Sequence, residues 1–308
     1  MSTVWPELPY PAWRDTQATL QLWTQVVGKI RLTQTPWLNH SWHVALYVTS
    51  RGLTTSPIPH GDRTFEIQFD FIAQQLIITV SDGATRTFPL RPQAVADFYT
   101  QVMTALNELQ VPVHIKDLPC EIPNAIRFGE DRTHSAYDAA AALRFWQALV
   151  QIDRVFKQFR TGFIGKASPV HFFWGSFDLA VTRFSGRRAP AFSGKVPGLD
   201  TRVMQEAYSH EVSSAGFWPG GGGIDYAAFY SYAYPSPAQF KSHAIKHGAF
   251  NEALGEFILP YEDVRQAADP DTMLLQFLQS TYEAAAATAQ WNRSELECPL
   301  GEPKAVRT

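Results

Sequence analysis

The sequence contains little cysteine. Only two cysteines, Cys120 and Cys298, occur among 308 residues, far apart and outside any C-x-x-C pattern. This spacing excludes a disulfide framework and provides no zinc-binding signature. Unpaired thiols are typical of a reducing compartment, so we expect a cytoplasmic protein.

The composition also argues against membrane and nucleic-acid partners. No apolar run reaches the roughly 18 residues that a transmembrane helix needs, and the N-terminus does not resemble a signal peptide. The 26 Lys and Arg residues are balanced by 29 Asp and Glu residues, for a formal net charge of −3. Such a chain has no overall positive field, so we expect neither nucleic acid nor membrane as a partner.

Known catalytic signatures are missing from the sequence. Ser214 stands where H-E-x-x-H would need its second His, and no Lys-Ser/Thr pair follows the glycine run Gly220–Gly223. There is no G-x-S-x-G and no cysteine-nucleophile context. The sequence therefore assigns no metal and leaves the cofactor unknown, and whether the protein is an enzyme stays open.

Apolar residues nevertheless make up 45% of the chain, enough for a large core. Their 3.6-residue spacing predicts helices over about 15–30, 92–109, 135–161 and from Asp269 onward. Between them, alternating stretches such as "RTFEIQFDF" and "LIITVSDGATRTFPL" predict antiparallel strands, the second with a hairpin turn at Asp-Gly.

The two halves share the order helix, strands, helix. A loop rich in proline and charge, "KDLPCEIPNAIRFGEDRTHS", separates them. We predict an α+β fold of two tandem units, residues 1–125 and 126–308, each an antiparallel meander flanked by long helices. The shared order suggests an internal duplication. Chance is the alternative, because helices flanking meanders are common.

Four strings resemble a known family: "NHSWHVALYVTSRGLTTSPIP", "SPVHFFWGSFDLAVTRFSGRRAP", "AYSHEVSSAGFWPGG" and "FYSYAYP". They look like the signature blocks of a bacterial family of uncharacterised, hypothetical proteins that is catalogued as a domain of unknown function. The resemblance covers nearly the whole chain. It implies no catalytic residue, cofactor or substrate.

Candidate site residues lie on predicted strands of the second half. "HFFWGSFDLAVTRFSG" is apolar on both faces, which predicts a central strand where Asp178 and Arg183 need partners. A strand at "YAAFYSYAYP" places Tyr230, Tyr232 and Tyr234 on one face. Tyrosine combines an apolar ring with a polar hydroxyl and suits the wall of a cleft.

We expect these strands to gather their polar side chains around one hollow. The candidate acid/base residues are His171, His210 and Glu211. The candidate ligand-binding residues are Trp174, Asp178, Arg183, Arg187, Trp218, Tyr230, Tyr232 and Tyr234. Arginine binds carboxylates and phosphates with two parallel hydrogen bonds. The resulting hypothesis is a small-molecule-binding protein or enzyme that accepts a small anionic or polar ligand.

Each of these residues also has a structural interpretation. A lone His is most often a core residue bonded to backbone, arginines commonly form salt bridges, and the tyrosine row suits a sheet face covered by a helix. The alternative hypothesis for function is a non-catalytic interaction protein that forms a homo-oligomer or binds a partner through a Tyr- and Trp-rich surface.

Overall fold

A computed structural model describes residues 4–299 of the chain. This range contains seven α-helices, named α1 to α7 in chain order. They span Tyr10–Gln34, Val95–Glu108, Ala139–Arg160, Thr201–Ala207, Tyr261–Gln266, Pro270–Thr288 and Arg293–Leu296. The ends of the two predicted units, residues 1–3 and 300–308, lie outside the described residues. No helix of residues 4–299 has the length and apolar character needed to cross a bilayer.

Twelve strands, β1 to β12, form two six-stranded antiparallel sheets in the same range. The first sheet contains Tyr47–Val48, Gly52–Thr54, Ile58–His60, Arg63–Asp70, Gln75–Val80 and Thr85–Pro89. The second contains His171–Phe173, Asp178–Arg188, His210–Trp218, Ala228–Tyr234, Ala249–Asn251 and Glu256–Pro260. This architecture confirms the predicted α+β class of antiparallel sheets flanked by helices.

The first sheet has the strand order β1-β2-β4-β5-β6, with β3 also paired to β4. The two-residue period of β4 places Phe65, Ile67 and Phe69 in the core. Helices α1 and α2 pack on this face. Trp23 of α1 stacks on Phe98 of α2 with ring centroids 4.7 Å apart, and Phe98 stacks on Phe69 at 6.3 Å.

The second sheet has the strand order β11-β12-β10-β9-β8-β7. Helices α3 and α6 cover one of its faces, where Phe156 of α3 packs against Phe229 of β10 with ring centroids 6.4 Å apart. Loops and the connection between β8 and β9, which contains the short helix α4, cover the other face. This unequal covering leaves room for a cavity on the side away from α3 and α6.

The two sheets are joined directly. Leu46, just before β1, exchanges two backbone hydrogen bonds of 2.8 and 2.9 Å with Phe172 of β7. Helix α1 reaches the second sheet as well, since the Gln21 amide donates to the carbonyl of Gly175 at 2.7 Å. One apolar cluster contains residues of both halves. The division near residue 125 stays a prediction, and so does the duplication, which the different strand orders do not support.

Local differences from the sequence predictions have physical reasons. The strand predicted around Trp42 is shorter, because residues Asn39–Ser41 form a 3-10 turn with His40 at φ 58°. Helix α4 is not predicted, because it buries none of its residues and so has no apolar stripe. The start of α6 is confirmed: the Asp269 side chain accepts a hydrogen bond from the backbone N–H of Thr272.

Arg183 of β8 points into the helix-covered face and is 1% exposed. Its guanidinium donates to the carbonyl of Phe159 in the last turn of α3. It also lies 3.5 Å from the ring centroid of Phe159 and 4.4 Å from that of Tyr282 in α6. Burial lowers the pKa of Arg183 to about 10. This side chain therefore connects β8 to both long helices.

Replacing Arg183 with Lys should destabilise the fold. Lysine keeps the charge but loses the planar stacking and the fork of donors. We expect the free energy of unfolding in urea to fall by about 2–4 kcal/mol, the range for disrupting a buried charged group. Arg188→Lys, at the exposed end of the same strand, is the matched control and should change it by less than about 0.5 kcal/mol. Equal losses in the two variants would contradict this role.

Candidate functional site

A cavity of about 780 Å³ lies on the face of the second sheet away from α3 and α6. Strands β8, β9 and β10 supply its floor. Its walls come from residues 37–44, residues 120–121, the β7–β8 turn and the β8–β9 connection. The volume is within the roughly 300–1,000 Å³ that is usual for small-molecule sites.

The strand register arranges the floor in rows. One row is Tyr230, Gly216, Ala180 and His171, and the next is Tyr232, Ser214 and Thr182. Because residues paired in register point to the same face, each row faces the cavity. Thr182 and Ser214 also share a hydrogen bond of 2.8 Å between their hydroxyls.

Gly216 allows the Tyr230 side chain to cross β9. A Cβ atom at position 216 would overlap the ring and hydroxyl of Tyr230. Because Gly216 leaves this space open, the Tyr230 hydroxyl reaches Asp178 and donates a hydrogen bond to its Oδ2 at 2.5 Å. The Ser176 hydroxyl donates to the other carboxylate oxygen. Trp218 packs on Tyr230 with ring centroids 4.5 Å apart. The floor is therefore a connected set of rings and hydroxyls ending at a buried carboxyl group.

Besides Glu206, whose carboxyl group accepts a hydrogen bond from the His40 backbone, three carboxyl groups line the cavity: Glu121, Asp178 and Glu256. Within residues 4–299, none of the three takes part in an ion pair. The Glu121 carboxyl group fills the space left by the missing side chain of Gly175. Glu256 Oε2 is buried and has no hydrogen-bond partner among the described residues.

Burial shifts the titration of all three acids. Burial, together with the nearby Asp178 charge, raises the pKa of Glu121 and of Glu256 to about 7. Burial also raises the pKa of Asp178, although hydrogen bonds from Ser176 and Tyr230 oppose the shift. A carboxyl group that leaves water without a cation favours its neutral form. Glu121 and Glu256 are therefore poised to titrate near neutral pH.

His171 is buried in the cavity wall and is 1% exposed. Its ring contacts the rings of Trp42 and Phe173, and no described residue hydrogen-bonds to its Nδ1. Burial, with the charges of Arg31 and Arg160, lowers the pKa of His171 to about 3. At neutral pH the residue is an uncharged imidazole with an unsatisfied polar atom, an arrangement that is costly in a folded protein.

Polar contacts hold the β8–β9 connection over the cavity. Glu206 of α4 accepts a hydrogen bond of 2.6 Å from the His40 backbone N–H. Lys166 Nζ lies 2.7 Å from His40 Nε2, which makes Nε2 the acceptor and leaves Nδ1–H to donate to the Ala207 carbonyl at 3.2 Å. The Tyr208 hydroxyl meets the Tyr232 hydroxyl at 3.0 Å. The side of the cavity near α4 is thus closed by hydrogen bonds.

A family model covers residues 5–298, nearly the full length. The chain belongs to the Family of unknown function (DUF5996). This membership confirms the resemblance to a family of unknown function. No curated protein and no solved structure matches the chain, so the chemistry of this DUF5996 member rests on its own geometry.

In this DUF5996 chain, the cavity brings together many of the residues predicted for the site. They are His171, Trp174, Asp178, Trp218, Tyr230 and Tyr232. His210 lies beside the cavity wall, with its ring centroid 6.2 Å from that of His40. Its Nδ1 is 3.0 Å from the hydroxyl of the neighbouring Ser209.

The other candidates lie elsewhere. Arg187 forms an ion pair with Glu211 at 2.7 Å, and both line a separate hollow of about 260 Å³ with Tyr234. Arg183 lies on the opposite face of the sheet. The prediction places all of these residues around one hollow, but side-chain alternation turns Arg183 and Glu211 to the face opposite Asp178 and Tyr230. Tyr234 keeps the parity of Tyr230, and its ring packs on Tyr208 of the cavity lining with centroids 4.7 Å apart.

Sequence reasoning missed several residues of the cavity. Glu121 follows Cys120 in the loop predicted to be a linker, and no periodic pattern marks it. Its position depends on distant contacts, such as its backbone N–H donating to the Pro197 carbonyl at 2.8 Å. Ser214 and Thr182 carried a usable signal, because they share strand parity with Trp218 and Asp178. Among residues 4–299, no group of three His, Cys, Asp or Glu side chains is arranged to hold a metal ion.

Gly216→Ala should displace Tyr230 and destabilise the protein. The added methyl group overlaps the tyrosine ring, and overpacking of this kind costs about 1–3 kcal/mol. Thermal unfolding should show the loss. Gly129→Ala is the control, because the nearest atom to its Cβ would be an ordinary 3.9 Å away.

A second background tests the mechanism of that loss. In Tyr230→Ala protein the ring is absent, so Gly216→Ala should have a smaller effect than in the wild type. The same cost in both backgrounds would show that Gly216 is needed for another reason.

The buried acids predict a pH dependence of stability. The folded pKa of Glu121 and of Glu256, about 7, is above the ordinary 4.5, so the folded state retains protons that the unfolded chain releases. Their contribution is therefore most favourable below about pH 4.5 and is lost as the pH rises towards 7, by on the order of 3 kcal/mol for each group.

Thermal melts between about pH 5 and pH 8 would measure this effect. Glu256→Gln cannot ionise, so its melting temperature should fall less steeply with pH than that of the wild type. Glu252→Gln, exposed in the preceding turn, should follow the wild type. Parallel curves for wild type and Glu256→Gln would refute the assigned titration.

Proposed function

We propose that the protein binds a small polar molecule in the cavity of the second sheet. The observation that carries this proposal is a cavity of small-molecule size lined by two residues that each have a polar atom without a described partner, Nδ1 of His171 and Oε2 of Glu256. Leaving such an atom unpaired costs about 1–3 kcal/mol. A ligand that bonds to both would recover this cost, and an apolar ligand would not.

Aromatic walls support the same proposal. Trp42, Trp174 and Trp218 line the cavity together with the tyrosines of the floor. The Trp174 ring is held in place because its indole N–H donates to the Val44 carbonyl at 2.8 Å. Rigid rings with a few convergent polar groups are the usual composition of a small-molecule site.

The charges of the wall favour a polar ligand over an anion. In the sequence, Arg183 and Arg187 suggested an anionic ligand. In the structure, Arg183 donates a hydrogen bond to the Phe159 carbonyl, and Arg187 donates one to the Glu211 carboxylate. Arg202 is the arginine of the cavity lining, and its side chain is 89% exposed on α4. Buried carboxyl groups dominate the interior and would repel a carboxylate or a phosphate.

The proposal extends to catalysis by the acidic residues of the cavity. Acids that titrate near pH 7 are suited to general acid/base chemistry. Perturbed pKa values in a cleft are common at functional sites, although structural networks produce them too. Asp178, Glu121 and Glu256 replace the histidines as the best candidates for proton transfer, with His171 as a neutral hydrogen-bonding group.

We expect this binding to take place in the cytoplasm. Cys120 and Cys298 are both free thiols, as they would remain in a reducing compartment. No further localisation signal contributes to this expectation.

The alternative, an interaction protein, is favoured by the apolar rim of the cavity. Trp37 is 68% exposed there, and Leu32 and Val203 are also exposed. Exposed apolar patches often mark interfaces. Under this alternative, a second copy or a partner protein covers the rim, and Trp37→Ser weakens an assembly that sedimentation detects in the wild type.

A thermal-shift screen tests the proposed function. The compounds should be small polar molecules of several classes: amines, amino acids, polyols, nucleosides and carboxylates. A ligand that binds the folded state at about 100 times its Kd adds about 2.7 kcal/mol of stability and raises the melting temperature. We expect at least one class to stabilise the wild type.

A cavity-filling variant shows whether the binding is in the cavity. Ala180→Leu places three extra carbon atoms on the floor and should abolish the ligand-induced shift. Ala253→Leu makes the same change on an exposed turn and should preserve it. Failure of every class, or shifts that persist in Ala180→Leu, would contradict the proposed function.

A further inference from the structure

We propose that the ligand of this cavity carries a positively charged amine, which binds between the carboxyl groups of Glu121, Asp178 and Glu256. This inference rests on the proposed function and names the chemical class of the ligand. It starts from three carboxyl groups that line one cavity and form no ion pair with a described residue. A bound cation would favour their ionised forms.

Among the described residues, no basic group near the cavity forms an ion pair with these three acids. Lys166 donates to His40, and Arg202 lies near Asp200 on the exposed side of α4 at 3.7 Å. Lys29 lies behind the Trp174 ring, 6.0 Å from its centroid, and burial lowers its pKa.

The histidines of the lining do not supply a positive charge either. Burial lowers the pKa of His40 and of His43 from the ordinary value, and the pKa of His171 is about 3. At neutral pH these rings are uncharged. The lining histidines therefore supply no positive charge to the three acids.

The aromatic rings of the wall suit the same occupant. The faces of Trp42, Trp174 and Trp218 are electron-rich and attract ammonium groups within about 6 Å. Two of these rings already attract a lysine of the chain, since Lys166 Nζ lies 5.3 Å from the Trp42 centroid and Lys29 approaches Trp174. An amine bound among the acids would gain similar contacts from inside the cavity.

His171 is the second, independent indication of a ligand. The residue is almost completely buried, lines the cavity and has an unpaired Nδ1. The charges of Arg31 and Arg160 act on this side of the cavity, so the ammonium group belongs at the carboxyl side. A second, uncharged polar group of the ligand would then bond to His171. The inferred ligand is a small amine that also carries a hydroxyl or amide group.

Matched triplets of compounds test the charge requirement. In each triplet the amine is replaced by an alcohol and by a carboxylate on the same skeleton. One triplet is tyramine, 4-hydroxyphenylethanol and 4-hydroxyphenylpropanoate. The other is 4-aminobutan-1-ol, butane-1,4-diol and 5-hydroxypentanoate. Calorimetric titration of the purified full chain should give binding for an amine at least about 10-fold tighter than for its partners, a difference of about 1.4 kcal/mol.

Charge-removing variants identify the acids. Glu256→Gln and Glu121→Gln keep the size of the side chain and should each weaken amine binding by about 10-fold or more, while the binding of the alcohol changes by less than about threefold. Glu252→Gln, outside the cavity, should bind the amine as the wild type does. Melting curves confirm that the variants are folded.

The outcomes separate the two proposals. If an alcohol or carboxylate binds as tightly as the matched amine, and Ala180→Leu abolishes that binding, the cavity is a ligand site and the amine inference is wrong. If the amine binds equally well to the wild type and to both glutamine variants, the carboxyl groups do not recognise it, and the inference is also wrong. If no compound of either triplet binds, the amine inference falls, and the broader screen decides the proposed function separately.

Discussion

The hydrogen bond from Tyr230 to Asp178 across Gly216 is the contact on which the cavity depends. It holds a large ring flat over β9, connects β10 to the first residue of β8, and fixes a carboxyl group at the end of the floor. The Tyr230 side chain can cross β9 in this way because residue 216 is a glycine and has no side chain. Trp218 and Ser176 pack or bond around the same pair, so one missing Cβ atom organises the shape and the polarity of the site.

The cavity exists because the two faces of the second sheet are covered in different ways. Helices α3 and α6 close one face with apolar side chains and with the buried guanidinium of Arg183. On the other face, the short helix α4 buries none of its residues, and the connection that contains it is held by polar contacts with His40 and Tyr232. An apolar cover would have filled this space with core side chains. The polar cover leaves a hollow in which carboxyl groups lose water without gaining a cation, and this explains the shared upward shift of their pKa values.

Strand parity predicts many of the residues that line the cavity. The residues that it does not predict were missed for a physical reason. Tyr230 and Tyr232 share a face because they are two residues apart on one strand, and Asp178 shares the cavity through the register of β8 and β9. The same parity rule places Arg183 on the other face, five residues from Asp178, although the sequence analysis grouped the two. Glu121 could not be predicted, because a loop residue is placed by contacts with partners distant in sequence, here the Pro197 carbonyl and the space beside Gly175.

The sequence by itself determined the class of the protein: the α+β composition, the antiparallel strands with their turns, the long helices and the absence of known catalytic motifs. These features are local, since they depend on the periods of apolar residues and on turn and cap chemistry within a few positions. The tertiary structure alone decided that Glu121, Asp178, Glu256 and His171 line one cavity and that Arg183 and Arg187 do not. The reason is that the net charge of a buried site depends on which side chains come into contact across the sheet. Those contacts are set by the strand order, by the helices that cover each face and by the path of the loops.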